Sequence, residues 1–477
     1  MKALIDEQGK KYVSFGSAVL CIAALVVVLM LGFAIWQIDT KVVFVLALVV
    51  VSSILMLHGF KLEEILKFFV DGCHSSMDVV LILMSVGAVI GTWIISGVVP
   101  TIIYYGLEIL TPSAFLLTGF FLCCIVSFFV GSSYSTIATM GVAFLGIGMG
   151  LGINPGLTAG MVVSGALFGD KMSPFSDTTN LAPAAAGTNI YKHINSMLYT
   201  TIPAMVITII LYAIHSMRFS ADAVEIELVE KINTALVSNF NITPILLIVP
   251  VFTIFLIVRK VPPVIAMLMS SCFAIIMALI FQSNIYDFKT ILNALGNGVS
   301  KDFGVPEVNR LLNRGGIISM MDVVAWTFLT LGLGEILRGA GVIDAFLTRL
   351  LKIVKKPRGL VLSTLLFSLV TACLTASQYL AILLPGQLMR DAYTKFKVDK
   401  RVLSRTLEDG GTMFSFLIPW DTAGIYTSSV LGVSVLSYAP YAYLLLASPI
   451  IAAIYAFIGF AIFKDESQNG EIVKEVN

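Results

Sequence analysis

Gly169-Asp-Lys-Met-Ser-Pro-Phe-Ser-Asp-Thr-Thr-Asn180 decides how this chain is read. It sets Asp170, Asp177 and Lys171, four hydroxyls and a proline between the apolar Met161–Phe168 and an alanine-rich run to Gly187. A charge at bilayer depth costs at least about 2.5–3.5 kcal/mol, so such a cluster is a functional site if its flanks span a membrane. The alternative is a polar loop between two helices.

The flanks are of that kind throughout. Of 477 residues 58% are hydrophobic and 12% charged, and mean hydropathy is +0.95. Soluble domains carry roughly 25% charge. Apolar runs recur at Phe15–Trp36, Val42–Leu57, Leu198–Ile214 and Tyr441–Phe463. The fold class is therefore an all-α polytopic membrane protein. The first run, after Lys10 and Lys11, is too long for a signal core and reads as a first span. A net charge of +1 without a basic block gives no reason to expect nucleic acid. The six cysteines lack metal-type spacing and read as packing residues.

The halves of the chain resemble each other. Cys73-His-Ser-Ser-Met-Asp-Val-Val80 matches Ile317-Ile-Ser-Met-Met-Asp-Val-Val324, pairing Asp78 with Asp322 at 322 − 78 = 244. The same spacing pairs Gly97 with Gly341, Ser133 with Ser377, Asp177 with Asp421 and Thr178 with Thr422. Residues 299–316 read as an insertion in the second half. The organisation expected is a cytoplasmic N-terminus 1–14, repeat 15–217, extracellular polar linker 218–238, repeat 239–463 and cytoplasmic tail 464–477. Basic loops alternate between the copies: Lys192 and His193 have uncharged counterparts, whereas Arg349, Lys352, Lys355, Lys356 and Arg358 face a stretch carrying only Glu108. That is the charge pattern of inverted repeats, a signature of secondary transporters. Each repeat is expected to hold about five transmembrane helices, a re-entrant hairpin of half-length arms (113–145 and 359–389) and a discontinuous helix. Pro174 and Pro419 mark the breaks in 157–187 and 406–430.

Two hairpin tips and two helix breaks related by a pseudo-twofold axis would meet near the midplane. Freed carbonyls, hydroxyls and a carboxylate there can replace the water shell of Na⁺. A carboxylate in low dielectric is costly as a bare ion, so it holds H⁺ or Na⁺ near neutral pH. The ion site is accordingly expected at Asp177, Thr178, Asp421, Thr422, Ser133 and Ser377. Further cargo contacts are expected from Ser132, Ser135 and Thr136 in the first tip, Thr375 and Gln378 in the second, and Ser176, Thr179 and Asn180 beside the first break. Asp78 and Asp322 are either site residues or helix-start aspartates favoured by the dipole. Glu335 and Arg338, three apart, form an internal ion pair or leave Arg338 to meet a cargo carboxylate. His58, His74 and His193 read as interfacial. The Gly146, Gly148, Gly150, Gly152 run lacks a following Lys-Ser/Thr and reads as packing or a turn. No nucleophile–base set suggests an enzyme, and no resident cofactor is expected. An ion channel is the competing class.

The opening stretch, with Gly97-Val-Val-Pro-Thr-Ile-Ile-Tyr-Tyr-Gly106 and Gln378-Tyr-Leu-Ala-Ile-Leu-Leu-Pro-Gly386, resembles the NhaC-type Na⁺/H⁺ antiporters over nearly the whole chain. The resemblance implies an inverted-repeat carrier in a bacterial inner membrane that exchanges Na⁺ for H⁺, and a homodimer. It also admits carriers of malate, lactate or amino acids. Ser377 and Arg338 stand where the resemblance leads one to expect acids, which favours an organic carboxylate as alternative cargo.

Overall fold

The computed structural model describes residues 4–5, 11–36, 38–217, 226–259, 261–351 and 356–464. Apart from a short antiparallel pairing of Leu4–Ile5 with Lys11–Tyr12, the described elements are helical. The first part of the chain holds α1 (Phe15–Met30), α2 (Thr40–Leu57), α3 (Leu62–Ser75), α4 (Met77–Ile95), α5 (Val98–Ile109) and α6 (Pro112–Val130). Then come α7 (Ser133–Thr136), α8 (Val142–Gly150), α9 (Pro155–Met172), α10 (Asp177–Ala186) and α11 (Ile190–Met217). Next are α12 (Ile226–Asn239), α13 (Ile248–Val258), α14 (Pro263–Phe281), α15 (Phe288–Asn297), α16 (Pro306–Leu312) and α17 (Met321–Gly339). After α18 (Val342–Leu351), α19 (Pro357–Thr375) and α20 (Gln378–Lys395) the chain continues through α21 (Lys400–Leu407) and α22 (Met413–Ser415). It closes with α23 (Thr422–Leu431), α24 (Val435–Tyr438) and α25 (Tyr443–Ile458).

Among the described residues six helices are long and apolar enough to cross a bilayer, or up to eight if two bent pairs each count as one span. Large apolar side chains remain exposed on α1, α2, α11, α13 and α14, for example Val27, Val49, Ile207, Val251 and Ile276. Such outward faces suit lipid, which no water-facing surface could replace cheaply.

Local signals set the ends of the site helices. Pro112 opens α6 at its first turn, where a missing N–H costs nothing, and Gly131 ends it in the left-handed region at φ 69°. Asn154 accepts the N–H groups of Gly156 and Leu157 to start α9. The arms expected at half length are longer: α6 and α19 have 19 residues each, about 28 Å at 1.5 Å per residue. Neither contains a breaking residue before its terminal turn.

One further expectation is revised. Residues 226–239 of the presumed linker form α12, whose buried Ile232 and Leu236 hold it in the main apolar core. Asp222 and Glu225 lie outside the described residues, as do Lys352, Lys355 and 465–477. The inserted stretch 299–316 ends in close contact with α4. The Gly316 N–H donates to the Gly87 carbonyl at 2.7 Å, and a Cβ on Gly91 would lie 2.2 Å from the Ala294 carbonyl oxygen. A Cβ on Gly315 would meet the Gly91 nitrogen at 2.4 Å. Backbone here rests on backbone. The Gly146, Gly148 and Gly150 positions are close-packing sites, against Ile103, Thr158 and Leu107 respectively.

Candidate functional site

Four interruptions of helical structure lie together. Gly131 and Ser132 separate α6 from α7, and Ser173–Ser176 separate α9 from α10. Ala376 and Ser377 separate α19 from α20, and residues 416–421 separate α22 from α23. Pro174 and Pro419 lie within the second and fourth of these, as the sequence suggested.

The first two interruptions touch, since a Cβ on Gly131 would sit 2.8 Å from the Phe175 Cβ. The last two are bonded, the Thr422 N–H donating to the Ala376 carbonyl at 3.0 Å. Tyrosines join the pairs. Tyr134 donates to Gln378 Oε1 at 3.2 Å, Tyr426 donates to the Tyr134 carbonyl at 2.7 Å, and Tyr379 donates to Asp177.

The helix caps alter the register between the halves. Gly97 and Gly341 are both left-handed and 341 − 97 = 244 apart. The left-handed glycines ending α10 and α23 are Gly187 and Gly432, and 432 − 187 = 245. The N-caps agree: Ser132 with Ser377 and Ser176 with Asp421, each 245 apart. The second half therefore carries one extra residue after Gly341. Position by position, Ser132 rather than Ser133 answers to Ser377, and Asp177 answers to Thr422. The identical Asp-Thr pairs concealed the slip.

The carboxylates differ in setting. Asp421 is fully buried; its Oδ1 accepts the Ala423 N–H at 3.0 Å and Thr422 Oγ1 at 3.4 Å, while Oδ2 has no hydrogen-bond donor. Asp177 is exposed and accepts from its neighbour's N–H (Thr178, 2.8 Å) as well as from Tyr379. Ser133 Oγ turns away from both and donates to buried Asp170 at 2.7 Å, leaving Asp170 Oδ1 without a partner. Thr179 Oγ1 spans the break, 3.2 Å from the Asp170 and Lys171 carbonyls. Ser176 lies 3.1 Å from Thr178 Oγ1, and Asn180 donates to the Pro174 carbonyl at 3.0 Å.

Residues 8–179 and 165–460 match the Na⁺/H⁺ antiporter family. The chain belongs to that family. It is 39% identical over 398 residues to the Na⁺/H⁺ antiporter NhaC of Alkalihalophilus pseudofirmus, covering 83% of this chain and 86% of that one. It is 38% identical over 418 residues to the malate-2H⁺/Na⁺-lactate antiporter of Bacillus subtilis, covering 87% and 89%. The arginine/ornithine antiporter ArcD of Halobacterium salinarum is 32% identical over 470 residues, covering 98% and 96%.

Not every sequence candidate joins the site of this family member. Thr136 and Thr375 hydroxyls bond back to their own helices, at 3.0 Å to the Ser132 carbonyl and 2.8 Å to the Thr371 carbonyl. Ser135 is buried, its N–H held by Ser132. Asp322 is exposed and paired with Lys41 at 2.8 Å, and Asp78 is exposed in the first turn of α4, so both fit the helix-start reading. Arg338 is committed to Glu335, Nε to Oε2 at 2.6 Å.

Glu408 and Asp409, and the partner that Lys171 takes, were not seen in the sequence. Lys171 pairs with Asp409, 238 residues away, rather than with adjacent Asp170, and both side chains are fully buried. Asp409 lies in a π-helical turn, Glu408–Thr412, where Glu408 accepts from Thr412 Oγ1 at 2.6 Å. A second π turn, Ile137–Gly141, follows α7; such turns gather at functional sites. His193, expected at the interface, is buried and bonded to Ser404. The available signal was two adjacent acids, Glu408 and Asp409, in an otherwise uncharged stretch from Thr406 to Trp420.

Proposed function

We propose that this chain is a secondary transporter exchanging Na⁺ for H⁺ across a bacterial inner membrane by alternating access, with Asp421 as the principal ion carboxylate. One observation carries the assignment: Asp421 is fully buried, yet Oδ2 has no donor. A buried anion with a bare oxygen is costly and is relieved by a proton or a small hard cation. Competition of the two for one carboxylate is sufficient for antiport. Thr422 Oγ1 and the Ala376 and Ile418 region of the neighbouring turns supply nearby oxygens of the kind Na⁺ takes. Asp177, steadied by Tyr379, serves as a second carboxylate on the more open side.

Repeats of opposite orientation, re-entrant turns at Gly131 and Ala376, cytoplasmic termini and a homodimeric assembly belong to the same proposal. In support, two αL turns and two capped half-helices recur at one spacing of 245. Proteoliposomes carrying an inward Na⁺ gradient test the reading, with internal pH followed by a dye. Na⁺-driven proton efflux without organic solute is expected, and Asp421→Asn should abolish it while the protein remains inserted.

A second reading is exchange of a small organic acid or amino acid coupled to Na⁺ or H⁺. It is favoured by Ser377, an uncharged residue in the second turn, and by the likeness to malate/lactate and arginine/ornithine antiporters. Proton movement that requires malate, lactate or arginine would select it. Single-channel currents would exclude both.

A further inference from the structure

The cleft between the start of α11 and the end of α25 encloses a cavity of about 650 Å³. Tyr199, Tyr455, Phe460 and Phe463 line it as a box of rings in edge contact, with centroids 4.8 to 6.2 Å apart. Arg401 and Ser196 are in the same wall. The Ser196 hydroxyl is buried without a hydrogen-bond partner. Arg401 stacks over the Phe463 ring, 3.9 Å from its centre. Its Nε is buried and makes no hydrogen bond, although Asp399 Oδ2 stands 3.2 Å away as an ion-pair neighbour. Pro203, also in the wall, has no N–H, so the Tyr199 carbonyl one turn earlier lacks its usual helical donor. Packing alone accounts for the rings but not for polar groups left waiting beside them.

The charge around the cavity is one-sided. Two stretches of chain meet beside it, the Asp399 N–H donating to the Phe463 carbonyl at 2.9 Å. Within 397–401 and 457–464, Lys397, Lys400, Arg401 and Lys464 stand against Asp399. Arg358 adds a further cation, held to the Phe457 carbonyl at 3.2 Å. Arg405 donates to the Ala461 carbonyl but is left out of this balance, because it interacts with buried Asp409. A cleft with surplus positive charge draws an anion. The surroundings say which kind. Leu198, Ile202 and Ile210 on α11 are exposed, as are Ile450, Ile454 and Phe457 on α25. Faces of that composition meet hydrocarbon, and the cavity lies where the two faces reach their polar ends. Basic pockets between membrane helices, bordered by aromatic rings, suit anionic headgroups.

We propose that this cavity binds an anionic phospholipid, its phosphate on Arg401 and its acyl chains along the exposed faces of α11 and α25. The guanidinium and the Ser196 hydroxyl donate to phosphate oxygens. The Tyr199 carbonyl is free to accept from a headgroup hydroxyl. Such a lipid ties the end of α25 to the start of α11. The proposal needs only that the chain lies in a bilayer, and it is independent of which ion or solute is carried.

The test is native mass spectrometry of the purified full chain in detergent, titrated with phosphatidylglycerol, with phosphatidylcholine of the same acyl chains, or with inorganic phosphate. Phosphatidylglycerol is expected to bind about tenfold more tightly than phosphatidylcholine, as the loss of one charged hydrogen bond would predict. Arg401→Gln should remove that preference. Asn195→Glu, which sets a carboxylate at an exposed position of the cavity wall, should remove it as well and keeps Arg401 in place. If Arg401→Gln does not fold, Asn195→Glu carries the test alone. Phosphatidylcholine bound as tightly as phosphatidylglycerol overturns the proposal, and so does an undiminished preference in folded Asn195→Glu. Inorganic phosphate that displaces phosphatidylglycerol at equal concentration would make this a site for free anions and would also overturn it. Lipid-free dimers that fall apart in Asn195→Glu would instead assign the cleft to a second copy of the chain.

Discussion

Asp421 and Ser176 occupy the same place in two different turns: each caps the short helix that follows a break, its side-chain oxygen accepting from the backbone of the first turn. The two halves thus offer one buried carboxylate and one hydroxyl at the same cap. Asparagine caps a helix about as well as aspartate. Asp421→Asn is therefore expected to keep the melting temperature within a few degrees and to lower Na⁺-driven proton flux at least tenfold. Ser176→Ala should do the reverse, losing about 1 kcal/mol of cap stability with flux largely kept. Thermal melting and proteoliposome flux on both variants check the contrast.

Tyr379, on α20, donates to Asp177, on α10. A hydrogen bond to a charged group contributes roughly 1.5–3 kcal/mol. Its loss in Tyr379→Phe leaves the bare carboxylate less stable and the ion-occupied form favoured. The expected outcome is a half-saturating Na⁺ concentration about tenfold lower at alkaline pH, together with a slower maximal rate from delayed release. Initial rates across a Na⁺ series measure both.

Gly131 and Gly432 share a left-handed backbone but not their surroundings. A side chain at either costs roughly 1–2 kcal/mol in conformational strain. At Gly131 the added Cβ also meets the Phe175 backbone carbon at 2.9 Å, whereas at Gly432 its nearest neighbour is Arg314 Nη1 at 3.5 Å. Gly131→Ala should lower the melting temperature distinctly more than Gly432→Ala, and should reduce transport because the first two interruptions are pushed apart.

Arg338→Ala distinguishes an ion-pair role from cargo binding. The side chain is 43% exposed and already engaged by Glu335, so its loss is expected to change Na⁺-driven flux less than about twofold, as for other partly exposed pairs worth about 1 kcal/mol or less. A tenfold loss would place Arg338 in the cargo path. Asp322→Asn, which breaks the exposed pair with Lys41, should be equally mild.

What the sequence revealed follows from which interactions are local. Gly131, Pro174, Ser377 and Pro419 act on their own backbone, so the helix interruptions could be located from composition alone. That the interruptions would meet followed from the duplication, and Tyr134, Gln378, Tyr379 and Asp177 are where they do so. The pairing of Lys171 with Asp409 could not be read, because it joins residues 238 apart on two helices whose relative rotation no periodicity reports. The register slip after Gly341 was invisible for a different reason: Ser377 matches Ser132 and Ser133 equally well, the identical Asp-Thr pairs favour the register that is one residue out of step, and only the cap geometry separates the alternatives. Residues 226–239 are polar enough to resemble a linker, and their helix is held by Ile232 and Leu236 fitting into distant partners.

The glycine seam at Gly87, Gly91, Gly315 and Gly316 bears on how such a molecule can move. Sliding between helices needs side chains that can exchange one set of neighbours for another, and at Gly91, Gly315 and Gly316 backbone meets backbone directly. The close approach ties α4 to the end of α15 and to Gly315 and Gly316, leaving little room for these segments to slide past one another. Arg314, next to Gly315, donates to the Val430 carbonyl at the far end of α23, whose other end bears Asp421. Asp421, the carboxylate proposed above to carry the ion, thus sits on a helix tied at its far end to that seam, while the tyrosine-bridged contacts lie on its opposite flank.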